Sequence, residues 1–288
     1  MAVKNDMHVL VLGGGVLGVS SALELTKRGA KVTLLTEAAL CSGASGRSLS
    51  WLNSAGERSK PYHALRMAGI DRYRTLFAAD PTRDWLRFDG GLCWPANDVA
   101  GTQARHAYEK AHGYDSHLIT PATVAQVDKG VDPQAMAEEA IFNPGEGWVS
   151  LPHLIAHLSG QFRALGGEII EHAGKASVIA EQGRAKGIRY DKGEIAADAV
   201  LVACGPWTPD VVAPLGVTLP NGSPVSMLVI TEASDQPLKT VLNTPRAAVR
   251  PNPGKRYALD HDWYENDIKL QADGTYQIEE SVAAQLAL

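Results

Sequence analysis

The sequence predicts an α/β protein: a parallel-sheet, nucleotide-type domain interrupted by a second, mostly antiparallel α+β domain. Three observations predict it. The apolar run His8 to Leu12 stops at Gly13, as a strand buried on both faces of a parallel sheet does. A helical stretch and a second β-branched run, Lys31 to Leu35, complete a strand–helix–strand unit within about 30 residues. The character of the text changes at Trp85 and returns at Ser150, so one domain is set inside the other.

The elements follow in order. Val16 to Arg28 has helical spacing, with Val16, Val19, Leu23 and Thr26 on one side, Lys27 and Arg28 in the last turn, and Gly29 placed to end it. Residues 38–60 are rich in Ser, Gly and Ala and read as a loop. Pro61 to Phe77 reads as a helix with Leu65, Ile70, Tyr73 and Phe77 on its apolar side. Around Asp89-Gly90-Gly91 the spacing predicts a hairpin of two short strands. Val99 to His112 reads as a polar helix and Ala140 to Phe142 as a brief strand. Ser150 can cap a helix running to about Leu165, with Pro152 in its first turn and Gly166-Gly167 beyond its end. Strands are expected at 168–171, 176–180, 188–190 and 199–203, and the text after Val217 is Pro- and Asn-rich with scattered strands. The expected division is 1–84 with 146–216 for the nucleotide-type domain, and 85–145 with 217–288 for the second.

Composition sets the limits. A chain of 288 residues is long enough for two domains at about 150 residues each. With 27 basic and 32 acidic residues the net charge is −5, which disfavours a nucleic-acid binder, since neutralising phosphates takes a basic face. Aromatic residues at 6% also disfavour a base-stacking surface. No apolar run approaches the ~20 residues that span a bilayer, and the N-terminus lacks a signal-peptide pattern, so a soluble, cytoplasmic protein without an integral membrane segment is expected. Cys41, Cys93 and Cys204 lie far apart without CxxC pairs, giving neither a disulfide framework nor a zinc site. His153 and His157, four apart on a predicted helix, have no third ligand in view and read as a surface pair.

The motif that carries chemistry is Gly13-Gly14-Gly15-Val16-Leu17-Gly18, a G-x-G-x-x-G between the first strand and the first helix. Gly13 makes the tight turn, Gly15 lets a pyrophosphate approach the backbone, and Gly18 lets helix pack on strand. The helix N-terminus offers the anion free N–H groups and partial positive charge. Glu37 stands just past the second strand, where a carboxylate accepts from both hydroxyls of an adenosine ribose and repels a 2′-phosphate. The bland alternative is a mere tight turn with Glu37 as a solvated surface acid.

Further along come Gly43-Ala44-Ser45-Gly46-Arg47-Ser48, a small-residue loop with one arginine, and Gly193 to Trp207, which includes the apolar strand ending Ala203-Cys204-Gly205. At these residues the sequence resembles the FAD-dependent D-amino-acid oxidase superfamily, the group of glycine and sarcosine oxidases and D-amino-acid dehydrogenases. The resemblance covers most of residues 7–255 and implies a Rossmann-like FAD-binding domain with an interleaved substrate domain. It implies that Gly13, Gly15, Val16, Leu17 and Gly18 hold the FAD pyrophosphate and that Glu37 binds the ribose. Ser45, Gly46 and Arg47 would form the loop passing toward the flavin ring, Val178 would meet the adenine through its backbone, and Gly205 would approach the cofactor closely. Arg47 reads equally as a solvated loop charge, Val178 as an ordinary strand residue, and Gly205 as the start of a turn before Pro206. The implied reaction oxidises the C–N bond of an amino acid or secondary amine by hydride transfer to flavin N5, with a small amine or amino-acid substrate. Arg250 lies in a stretch resembling the family's substrate-domain sheet, without an assigned role. Family members run on further, so the resemblance also implies an incomplete substrate domain. A non-catalytic nucleotide-binding chain, or a subunit completed by a partner chain, is the alternative, and an NAD-linked dehydrogenase is the outsider.

Overall fold

A computed structural model describes residues 7–96, 98–136, 138–222, 225–272 and 275–287. The chain divides into two compact units, Met1–Ser48 with Leu151–Ser223, and Leu49–Ser150 with Pro224–Leu288.

The first unit is built on a four-stranded parallel sheet. Strand β1 (His8–Leu12) lies between Ala199–Val202 and β2 (Lys31–Leu35), with Glu168–Ile170 beyond β2. Side chains alternate across a strand, so β1 serves two cores at once. Val9 and Val11 join Val32 and Leu34 beneath helix α1 (Val16–Lys27) and the helix Leu151–Ala164, through Val19, Ala22, Leu23, Ile155 and Phe162. Leu10, Leu12 and Leu35 face the other way and pack with Ala173 and Ile188. Ile188 belongs to a three-stranded antiparallel sheet formed by Ser177–Glu181, Arg184–Tyr190 and Gly193–Ala196. Both faces of the parallel sheet are therefore covered, which is why its strands read as unbroken apolar runs.

The second unit centres on a seven-stranded sheet. Its order is Val229–Ile230, Arg256–Asp260, Ala248–Asn252, Val241–Asn243, Gly91–Cys93, Ala140–Asn143 and His117–Ile119. Neighbours run antiparallel except Val241–Asn243 beside Gly91–Cys93, which is parallel. A smaller sheet pairs Trp51–Leu52 and Leu86–Arg87 with Gly147–Val149. Helix α2 spans Lys60–Ala79 and α3 spans Val99–Ala111. The Asp98 carboxylate caps α3 by accepting from the Gly101 amide at 2.9 Å, which satisfies a donor that the helix start would otherwise leave free. Leu92, Trp94, Ile119, Val124 and Ala140 form one core, and Leu259, Tyr264, Val282 and Leu286 another.

The structure departs from the sequence reading in two places. Residues 49–84 and 146–150 sit in the second unit rather than the first, and residues 217–222 in the first rather than the second. Trp51 pairs with Trp148, and the Arg74 guanidinium donates to the Gly145 carbonyl at 2.7 Å, so this stretch belongs with the strand Gly147–Val149. The hairpin expected around Asp89-Gly90-Gly91 is not one. Leu86–Arg87 pairs with Gly147–Val149, whereas Gly91–Cys93 pairs with strands at 140–143 and 241–243, so the turn carries the chain from one sheet to another. Among the described residues, no helix is long and apolar enough to cross a membrane.

Candidate functional site

The glycine motif lies where β1 ends and α1 begins. Gly13 has φ +115°, and a Cβ there would stand 2.2 Å from the Ala203 carbonyl oxygen, so both conformation and space require glycine. A Cβ on Gly18 would stand 1.8 Å from the Gly13 oxygen, which fixes how closely helix and turn approach. Gly14, to which the sequence reading gave no role, is packed as tightly: its Cβ would meet Thr36 Oγ1 at 2.7 Å. Gly15 occupies the N-cap position of α1 with no side chain to cap it. The first amides of a helix have no partner within the helix and carry its positive end. One of them, the Val16 N–H, donates to Ser45 Oγ at 3.0 Å, and that same oxygen would lie 3.1 Å from a Cβ on Gly15. Val16 itself packs against the core below, while the Leu17 side chain is 70% exposed.

Ser45 is presented by a 3-10 turn, Ala44–Arg47. Gly46 passes so close to Cys41 that a Cβ would stand 2.3 Å from its carbonyl oxygen. The Arg47 guanidinium donates to the carbonyls of Ser42 at 2.5 Å and Gly43 at 3.3 Å, bracing the loop that holds Ser45.

Glu37 follows β2 with its side chain exposed and its carbonyl accepting from the Gly174 amide. Cys204 follows the strand on the other side of β1. Burial chiefly pushes the Cys204 thiol up, and the Glu37 carboxylate adds to this; each residue follows the end of a parallel strand, so both stand at the carboxyl edge of the sheet. Open α/β sheets bind ligands at that edge. At Gly205 a Cβ would meet no protein atom within 4 Å. The φ of +59° at the start of the turn Gly205–Trp207 is what calls for glycine. Val178 pairs with Ile188 and its side chain packs in the core around Leu10 and Leu12.

The second unit holds a buried polar network that the sequence reading missed. Glu146 is fully buried; Trp51 Nε1 donates to one of its oxygens at 2.8 Å and the Tyr114 hydroxyl to the other at 2.6 Å. Burial raises its carboxyl to about 8, against the lowering effect of these two donors. Glu109, also buried, accepts from the Gly56 amide at 2.7 Å, Arg105 Nε at 2.9 Å and Asn143 Nδ2 at 3.0 Å. Burial pushes Glu109 up, but these donors outweigh it and hold the group below its ordinary value. Glu146 lies between Gly145 and Gly147, and its local sequence carries no mark of burial.

Arg250 is 2% exposed, lies over the Trp148 ring, and donates to the carbonyls of Leu49 and Pro251 and to Asn252 Oδ1. Burial lowers its guanidinium to about 10. As folded, it braces the chain. All three thiols are pushed up, chiefly by burial, so none is an activated nucleophile. Among the described residues no cluster of His, Cys, Asp or Glu is arranged to hold a metal ion.

Comparison with known proteins adds a family. The family described as FAD dependent oxidoreductase (DAO) matches residues 8–285. Glycine oxidase of Geobacillus kaustophilus is 27% identical over 218 residues, covering 73% of this chain and 58% of that protein. The 4-methylaminobutanoate oxidase (formaldehyde-forming) of Paenarthrobacter nicotinovorans is 25% identical over 217 residues, 74% of this chain and 26% of its own length. The chain thus spans less than two thirds of the length of these curated relatives. Among solved structures, glycine oxidase from Bacillus cereus superposes with a TM-score of 0.74 at 19% identity, over 93% of this chain and 75% of that one. L-proline dehydrogenase from P. horikoshii gives 0.74 at 16% identity, over 98% and 76%. These likenesses show a shared fold.

Proposed function

Because the chain belongs to the DAO family of FAD-dependent oxidoreductases, we propose that its first unit holds FAD at the amino end of α1. We propose further that the protein oxidises the C–N bond of an amino acid or secondary amine. The observation that carries this reading is the cradle itself: a turn at Gly13 that admits no side chain, followed at once by a helix N-terminus whose own N-cap residue, Gly15, has no side chain to close it, at the carboxyl edge of a parallel sheet.

The residues present fit the group. The amides at Gly15, Val16 and Leu17 face an anion with the positive end of α1. Glu37, exposed and next to that edge, accepts from the ribose hydroxyls. Ser45 turns its hydroxyl from the Val16 amide to the diphosphate, and Arg47 and Gly46 keep the loop in place for that exchange. The Val178 backbone faces the adenine, and Gly205 gives the turn after the last parallel strand its shape. When bound, FAD supplies the acceptor for a hydride from the carbon beside the amine nitrogen. Relatives named as glycine oxidase and 4-methylaminobutanoate oxidase support the substrate class.

The test is spectroscopic. Reconstitution with FAD should give a yellow protein absorbing near about 450 nm that bleaches anaerobically when glycine, sarcosine or a D-amino acid is added, as hydride transfer requires. A second reading is a nucleotide-binding chain that needs a partner to turn over. Yellow protein that no amine bleaches supports that second reading. Protein that stays colourless and binds only ADP-containing ligands overturns the flavin assignment.

A further inference from the structure

Asn221 and Gly222 form the single Asn-Gly pair in the sequence. Both residues are exposed, in an irregular stretch of the first unit. We propose that this pair is a site of spontaneous covalent modification: Asn221 deamidates to isoaspartate and aspartate, and the change unties it from the turn Gly205–Trp207. The proposal stands apart from the flavin reading and needs no cofactor.

Deamidation needs a nucleophile, the main-chain nitrogen of the following residue, and the fold decides which asparagines have one to hand. Asn143 and Asn252 precede proline, which carries no N–H. After Asn53, the Ser54 amide is buried and donates to the Tyr114 hydroxyl at 2.9 Å. After Asn243, the Thr244 amide donates to the Ala247 carbonyl at 3.0 Å. After Asn266, the Asp267 amide donates to the Tyr264 carbonyl at 2.9 Å. The Gly222 amide differs: it has no acceptor among the described residues. Glycine also has no Cβ to hinder the approach of its nitrogen to the neighbouring side chain.

Water is the only co-reactant. The Gly222 nitrogen loses its proton and bonds to Asn221 Cγ, the Cγ–Nδ2 bond breaks, and ammonia leaves behind a cyclic imide. Water then opens the ring. Attack at the main-chain carbonyl of residue 221 gives isoaspartate, with the chain rerouted through the side chain, and attack at Cγ gives aspartate. Nothing is oxidised or reduced. The consequence is local. Asn221 Nδ2 donates to the Pro206 carbonyl at 3.0 Å. An ionised carboxylate only accepts, so oxygen would face oxygen and the contact is lost, with a negative charge added beside it. Pro206 is the middle residue of the turn Gly205–Trp207, where the Trp207 amide donates to the Cys204 carbonyl at 3.2 Å.

The experiment incubates the full chain at mildly alkaline pH, then digests aliquots and maps them by mass spectrometry, with isoaspartyl and aspartyl peptides separated by chromatography. Asn221 should convert about tenfold or more faster than Asn53, Asn243 or Asn266, with isoaspartate the larger product, and Gly222→Ala should slow it about tenfold. Alanine is accommodated there, since a Cβ would meet nothing within 4 Å, and a thermal melt checks that the variant folds. Hydrogen exchange over residues 205–207 should be severalfold faster in the converted chain and in Asn221→Asp than in fresh protein, as a loosened turn opens more often. Conversion spread evenly over these asparagines, an Asn221 rate unchanged in Gly222→Ala, or equal exchange over 205–207 before and after conversion would each overturn the proposal. Flavin content is not read, so failure of the flavin assignment leaves this test intact.

Discussion

The Ser45 hydroxyl sits 3.0 Å from the Val16 amide, on the first turn of α1 and directly over the position a Gly15 side chain would occupy. A neutral hydroxyl thus holds the place that a charged oxygen would take. Ser45→Ala removes that placeholder, an N-cap-like contact worth about 1 kcal/mol. The expected result is a Tm lower by a few degrees in the free protein, with a smaller difference once FAD is bound, read by thermal melts with and without the cofactor.

The glycines should separate by cause. Gly18→Ala drives a Cβ into the Gly13 carbonyl, and Gly13→Ala meets both a forbidden φ and the Ala203 carbonyl. Each should cost about 3 kcal/mol or more of stability, since neither backbone can move aside cheaply. Gly15→Ala meets only a serine hydroxyl at 3.1 Å, so it should leave urea unfolding nearly unchanged while reducing FAD retention. If Gly15→Ala unfolds the protein as Gly18→Ala does, the distinction between packing glycine and ligand-facing glycine is wrong.

Glu37→Gln should weaken FAD and AMP binding by roughly tenfold to a hundredfold, the value of hydrogen bonds to a charged group. Stability should be unaffected, because the Glu37 side chain is exposed. Equilibrium titration of the variant against the parent protein measures the first, and denaturant midpoints the second.

Glu146 should make stability depend on pH across the neutral range. Its folded carboxyl titrates at about 8 against an ordinary value of 4.5, so the folded state binds the proton more tightly and unfolding releases it. The stabilisation is fully present below 4.5 and is lost as pH rises through about 8. Glu109, held low, acts oppositely: its contribution is present above its ordinary value of 4.5 and is lost in acid. Chemical denaturation from pH 5 to 9 should show stability falling by a few kcal/mol, and Glu146→Gln should flatten that slope.

Much of the first unit was legible because its signals are local. The strand, glycines and helix of residues 8–27 and the strand at 31–35 are fixed by apolar runs and a turn that only glycine can make. The second unit was not. Gly90 and Gly91 look like a hairpin turn, yet Leu92 pairs with Phe142 on one side and Leu242 on the other, and nothing in a short window reports partners 50 and 150 residues away. The Glu146 network escaped for a related reason. A buried acid looks like a surface acid until Trp51 and Tyr114, from distant segments, are seen to enclose it. At Gly205 the φ of +59° adds a conformational reason for glycine that the sequence alone does not carry.

The parallel neighbour of β1 arrives late. Val9 lies beside Ala199, so 190 residues must be synthesised before that side of the strand is sheltered. At about 5–20 residues per second, the emerging chain waits roughly 10 to 40 seconds with an apolar edge uncovered. An uncovered strand edge of that kind is open to wrong pairing during translation. Expression at lower temperature with a trigger-type chaperone supplied should raise the soluble yield, and splitting the gene after residue 150 should give two insoluble halves.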